Sequence, residues 1–131
     1  MTDASQTVEA SPASFRLHRL AKPHYQVVFG QEQKAYGHTL VMWVAVLPDA
    51  DRRVGVVVSK RIFRRAVDRN RAKRLMREAF RLSRHQLKPG VSVILVAREG
   101  IGGKKCEDVM RDFKYVCHRA KIWKKEKKSS G

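Results

Sequence analysis

The side chains of this chain that could do chemistry are mostly cations, and they crowd into one stretch. Residues 52–88 hold 14 Lys and Arg against two acids, Asp68 and Glu78. The densest part, Asp68 to Arg84, reads Asp-Arg-Asn-Arg-Ala-Lys-Arg-Leu-Met-Arg-Glu-Ala-Phe-Arg-Leu-Ser-Arg. Wound at about 100° per residue, it separates into two faces. Ala72, Leu75, Met76, Ala79, Phe80 and Ser83 form an apolar stripe. Asn70, Lys73, Arg74, Arg77, Arg81 and Arg84 form the opposite, cationic one. The run has no Gly or Pro and is rich in good helix formers, so a helix is expected, starting between Arg65 and Arg69. Like charges at i,i+4 repel, and a solvated helix face ordinarily mixes signs. A face with no acid among its members points to a polyanionic partner, nucleic acid first.

Other chemistry is thin. His18, His24, His38, His85 and His118 show no metal-ligand spacing, and neither Cys106 nor Cys117 belongs to a Cys-x-x-Cys pair. Asp49 and Asp51 fall in a turn, where solvated turn chemistry is their ordinary use. No Gly-x-Ser-x-Gly, P-loop or dinucleotide fingerprint occurs, so no catalytic residue and no metal ligand is expected. The aromatics have two readings. Tyr25 and Phe29 share a helix face, and Trp43 alternates with Val41 and Ala45 on a strand. Core packing is the default, and a stacking platform for unpaired bases is the functional alternative.

The elements that must position these groups follow from length and pattern. The chain has 131 residues, enough for one domain with a modest core, and carries a formal charge of +17. Cys106 and Cys117 fall in one expected helix about 16 Å apart along its axis, too far for a disulfide. Reduced thiols suit an intracellular protein. No leader pattern opens the chain and no apolar run approaches a membrane span, so the reading is cytoplasmic.

Residues 1–14 are small and polar and read as a disordered tail. Residues 15–123 read as the folded domain, and 124–131 as a basic tail. Pro23, with Tyr25, Val28 and Phe29 at helical spacing and Gly30 to end it, predicts a short helix over about 22–30. Lys34 to Tyr36 reads as a brief strand. Thr39 to Leu47 is apolar on both faces, a central strand. After the Pro48–Asp51 turn, Val54 to Ser59 is expected to pair back antiparallel. The basic helix comes next, then a strand over Val91 to Ala97. Val109, Met110, Phe113, Val116, Cys117, Ala120 and Trp123 mark a last amphipathic helix. The order is α, three β, α, β, α: an α+β sandwich on one sheet. Strand 54–59, the basic helix and strand 91–97 make a βαβ unit, right-handed by the general rule.

Three runs together resemble a known family: Arg53-Val54-Gly55-Val56-Val57-Val58-Ser59-Lys60-Arg61, then Arg64-Arg65-Ala66, then Arg69-Asn70-Arg71-Ala72-Lys73-Arg74-Leu75-Met76-Arg77-Glu78-Ala79-Phe80. They are similar to the bacterial ribonuclease P protein subunit, and the resemblance extends over roughly residues 16–120. It implies an αβββαβα fold with a left-handed βαβ crossover, replacing the right-handed expectation. It also implies a small partner of a catalytic RNA subunit that removes the 5′ leader of precursor tRNA, the RNA and its Mg²⁺ doing the chemistry. By that resemblance Arg69, Asn70, Arg71, Lys73, Arg74 and Arg77 face RNA, and Tyr25, Phe29, Trp43, Ser59 and Lys60 belong to a leader-binding cleft. Tyr25 stands where the family commonly has Phe, and Trp43 where it often has a smaller residue. A ribosomal or ribosome-assembly protein with the same basic helix is the alternative, and a freestanding nuclease lacks the carboxylates or histidines it would need.

If the cationic face neutralises about 6–10 phosphates, RNA affinity should fall about 10³–10⁵-fold between 50 and 200 mM salt. A titration series in salt checks this, and a flat log–log plot would remove the electrostatic reading.

Overall fold

The structure, a computed structural model, describes residues 19–31, 33–46 and 52–124. The expected tails, apart from Lys124, and the Pro48–Asp51 turn lie outside these residues. The elements run α1 (Lys22–Gly30), β1 (Gln33–Tyr36), β2 (Leu40–Val46), β3 (Arg53–Val57), α2 (Ala66–Ser83), β4 (Val91–Ala97) and α3 (Cys106–Arg119), with short 3₁₀ turns at Arg84–Gln86 and Glu99–Ile101. This is the expected α+β order, one sheet with helices on its faces.

The pairing differs from expectation in one place. The sheet order is β1-β2-β4-β3. β4 lies between β2 and β3, antiparallel to β2 and parallel to β3. The segment at 54–57 therefore does not pair back on β2; its partner is the strand beyond the basic helix. The reason lies in β4, Val-Ser-Val-Ile-Leu-Val-Ala, in which every residue but the half-buried Val96 is buried. A strand that is apolar on both faces gains most in the interior of a sheet. The outer edge of β3 is partly covered by an isolated parallel bridge from Arg19 to Val54.

Alternation along the strands assigns the two faces. Leu40, Met42 and Val44 of β2, Val54 and Val56 of β3, and Val91, Val93, Leu95 and Ala97 of β4 meet α2 and α3 in the main core. α2 buries Ala72, Met76, Ala79, Phe80 and Ser83, as its spacing predicts, while Leu75 is half-buried against the same core. α3 buries Val109, Phe113, Val116 and Cys117. The rings of Phe80 and Phe113 meet edge to face at 6.4 Å where the two helices pack. Burial pushes the Cys117 thiol pKa up, so that sulfur stays protonated and inert. Both cysteines are free, as their separation along α3 requires.

Polar contacts hold the ends of this layer. The Asp112 carboxylate on α3 accepts the backbone N–H of Thr39 at 2.7 Å and its hydroxyl at 2.6 Å, tying the β1–β2 turn to the helix. Asp108 accepts the Lys105 N–H at 3.0 Å, closing one of the open donors at the N-terminus of α3.

The opposite sheet face has a smaller core. Leu20 and Val28 are buried there on Ala45 and Ile94, with Tyr25, Phe29, Trp43, Val57 and Val96 packed around them. α1 has only nine residues, about 14 Å of helix, so it covers part of this face. Among the described residues no helix is long and apolar enough to cross a membrane.

Phe80→Ala and Phe113→Ala should each cost about 3–5 kcal/mol of stability, since both rings are almost fully buried. Leu82→Ala, at a position 50% exposed on the same helix as Phe80, should stay within about 0.5 kcal/mol. Denaturant melts of the three variants check the assignment of faces.

Candidate nucleic-acid interface

The site grows from the incomplete cover of the sheet. The pairing registers align residues of the α1 face into rungs. One rung runs Trp43, Ile94, Gly55, and the next runs Tyr36, Val41, Val96, Val57. α1 sits over the first, where Ile94 is fully buried. The second is left open: Val41, Val57 and Val96 are half-exposed and Tyr36 is 53% exposed. Four strands at about 4.8 Å spacing make this apolar floor about 14 Å wide.

Three aromatic rings border the floor. Tyr25 and Phe29, four residues apart on α1, have ring centroids 6.5 Å apart, and Phe29 meets Trp43 edge to face at 5.0 Å. All three are half-buried, so each joins the small core and keeps some ring surface in solvent. The core reading is thus met in part, and the ring surface left in solvent is what a stacking role would use. Tyr25 lies directly over Gly55, where any side chain would collide with its ring. The absence of a Cβ on β3 is what lets α1 settle this close to the sheet.

Cations stand around the rings. The Lys34 ammonium is 4.6 Å from the Trp43 ring centroid and 5.6 Å from that of Tyr36, and the Arg98 guanidinium is 5.7 Å from Tyr36. Arg98 is also steadied by donating to the Gly37 carbonyl at 2.8 Å. Ser59 and Lys60 are exposed just beyond the end of β3, past Val57, rather than among the rings. Sequence reading put Val41 on the face of Trp43 but passed over Lys34, Tyr36, Val57, Val96 and Arg98. The alternation within each strand was visible, but the register that aligns the four strands was not.

At its other border the site reaches α2. A groove of about 420 Å³ is lined by Arg19, Asn70, Lys73, Arg74, Arg77 and Glu78. Burial, with the Arg19 charge beside it, holds the Arg77 pKa below the usual guanidinium range, while nearby Tyr25 acts in the opposite sense. Arg19, bridged to Val54 beside the Gly55 that Tyr25 covers, brings this groove next to the aromatic rings. Arg19 is a groove residue that no motif flagged.

The basic segment is not uniformly available. Arg69 donates to the Phe63 and Arg64 carbonyls at 3.0 and 2.7 Å, and Arg71 to the Lys104 carbonyl at 2.7 Å. Arg52 donates to the Leu87 carbonyl, and Arg84 to that of Arg52. Arg81 forms a two-pronged pair with Glu78, one arm at 3.1 Å, which lowers the Glu78 pKa through that hydrogen bond. The expectation of a face without acids is therefore corrected: Glu78, three residues before Arg81, reaches across to it. Asn70, Lys73, Arg74 and Arg77 share the groove, whereas Arg69 and Arg71 also hold loops in place.

Arg69 and Arg71 sit off the apolar stripe, which by itself predicts that their loss leaves the fold intact. The carbonyl contacts change the expected outcome for Arg69. Arg69→Ala should cost about 1–2 kcal/mol by releasing the 59–65 loop, while Lys73→Ala and Arg74→Ala should stay within about 0.5 kcal/mol. Thermal melts of the three variants separate these roles.

Comparison with known proteins bears on the family and the fold. A family model described as Ribonuclease P matches residues 15–121. The ribonuclease P protein component of Chromohalobacter salexigens is 47% identical over 78 residues, which span 59% of this chain and 60% of that protein. The component from Erwinia tasmaniensis is 39% identical over 93 residues, 71% of this chain and 76% of its own. Among solved structures, a Staphylococcus aureus RNase P protein mutant with defective mRNA degradation activity superposes with a TM-score of 0.77 at 21% identity, covering 90% of this chain and 100% of that one. The Thermotoga maritima RNase P protein gives 0.68 at 21% identity over 77% and 96%. At such identities the structural likeness speaks for the fold, and the sequence matches speak for the family. The chain belongs to the ribonuclease P protein family.

Proposed function

We propose that this chain is the protein subunit of a ribonucleoprotein ribonuclease P, binding its catalytic RNA subunit through α2 and the 5′ leader of precursor tRNA on the open sheet face. The observation that carries the reading is continuity. The floor of Tyr36, Val41, Val96 and Val57 packs beside Tyr25, which covers Gly55 of β3, and Arg19, bridged to Val54 of the same strand, lines the groove with Asn70, Lys73, Arg74 and Arg77. Unpaired bases stack on aromatic and apolar surface while cations follow the phosphates, so this arrangement suits a single strand next to structured RNA.

In this reading Tyr25, Phe29, Trp43, Ser59 and Lys60 line the leader's path, joined by Lys34, Tyr36 and Arg98. Arg69, Asn70, Arg71, Lys73, Arg74 and Arg77 face the RNA subunit. No side chain of this protein serves as nucleophile, acid or base. Its work is to position the leader and to neutralise phosphates that would otherwise repel as two RNAs meet. Among the described residues no cluster of three or more His, Cys, Asp or Glu is placed to hold a metal ion. We assign the Mg²⁺ of the reaction to the RNA, and the site of action to the cytoplasm.

Reconstitution with the catalytic RNA and a precursor tRNA at low Mg²⁺ tests the proposal. Cleavage should require the RNA, and the protein should raise its rate most when Mg²⁺ is scarce; no effect on cleavage would leave the ribosome-assembly alternative. Phe29→Ala should weaken binding of leader-bearing tRNA by about 1–3 kcal/mol, the scale of one stacked base, and leave mature tRNA nearly unchanged. Equal losses for both RNAs would return Phe29 to the core.

A further inference from the structure

A second cationic groove lies around the β1 edge of the sheet, outside the interface described above. β1 is the outermost strand on that side. Lys34 reaches the open face, over Trp43 and Tyr36. Together with Gln33, Val44, Arg119 and Ala120, it also lines a groove of about 300 Å³ beside the C-terminal end of α3. Arg119 is exposed, and its guanidinium lies 5.8 Å from the ring centroid of Tyr115, which is itself 52% exposed. Each side of the edge thus presents a cation held over an aromatic ring.

Nothing among the described residues neutralises this pair. The acids of α3 are engaged or distant: Glu107 and Asp108 occupy its first turn, and Asp112 is turned onto Thr39. The acid closest in sequence, Glu32, lies outside the described residues.

We propose that a single RNA strand lying across the open face continues around the β1 edge into this groove, where Lys34 and Arg119 hold its phosphates. The proposal rests on the reading of the open face as an RNA-binding surface and lengthens it. A strand passing round the edge would meet Lys34 on the open-face side and Arg119 on the other, so successive phosphates each find a cation. The rings beneath them restrict where the cations sit and offer faces on which bases can stack. The floor is only about 14 Å wide. A short strand is therefore used up on the sheet, and only a longer one reaches Arg119.

The test uses the full-length protein and labelled oligouridylates of about four and about ten nucleotides, within the range that one such platform accommodates. The wild type should bind the longer strand more tightly. Arg119→Glu should weaken the longer strand roughly fivefold or more and leave the shorter one unchanged. Arg119→Ala should make the salt dependence of the longer strand shallower by about 0.7 in the log–log slope, one single-strand phosphate contact. Arg119→Lys should retain most of the binding.

Arg119 also stands in the last turn of α3, where a cation favours the helix dipole, so melting temperatures are measured alongside. If Arg119→Glu does not fold, Arg119→Gln takes its place. Equal losses for both strands, or a longer-strand affinity equal to the wild type, would overturn the groove while sparing the open face. If the wild type binds neither strand, the open-face reading fails and this extension goes with it.

Discussion

Burial of β4 on both faces is the constraint from which the rest of the structure follows. A strand of Val, Ile, Leu and Ala with no exposed side requires a helical layer above and below it. On one face α2 and α3 supply that layer, and their buried stripes close over the sheet. On the other face the only described helix is α1, which packs on β2 and β4 over the Trp43, Ile94, Gly55 rung. Among the described residues, the next row, Tyr36, Val41, Val96 and Val57, is left half-exposed.

The uncovered row differs from an ordinary exposed apolar patch in its surroundings. Tyr36, Val41, Val96 and Val57 are bordered by half-buried rings and by Lys34 and Arg98, with Arg77 and Arg19 beyond Tyr25. Such a surface offers stacking area at its centre and partners for negative charge at its rim. It suits a ligand that is flat and apolar on its faces and anionic along its spine.

The arginines show how a charge run divides its labour. From sequence, all of residues 52–88 look alike, a block of cations in want of an anion. In the folded chain, the Arg52, Arg69, Arg71 and Arg84 guanidiniums reach backbone carbonyls at loops and helix ends, and Arg81 finds Glu78. Arginine suits this because its fork of donors can satisfy a carbonyl while other N–H groups remain available. Among the described residues the groove cations Lys73, Arg74 and Arg77 make no such carbonyl contact.

The sequence by itself determined the elements and the faces of α2. Helical periodicity reports burial directly, and Ala72, Met76, Ala79 and Phe80 repeat at the spacing that one buried stripe demands. It also determined the family, because the Arg-Asn-Arg run and its neighbours are local in the chain. Only the tertiary structure decided that β3 pairs with β4 and not with β2, since an apolar strand carries no mark of which neighbour it will hydrogen-bond. Only it brought Tyr36 to Val41, Val96 and Val57, four residues scattered over sixty positions and joined by register alone. Glu78 stands three residues before Arg81, a neighbour spacing the sequence already holds, and only the folded side chains show that the two pair.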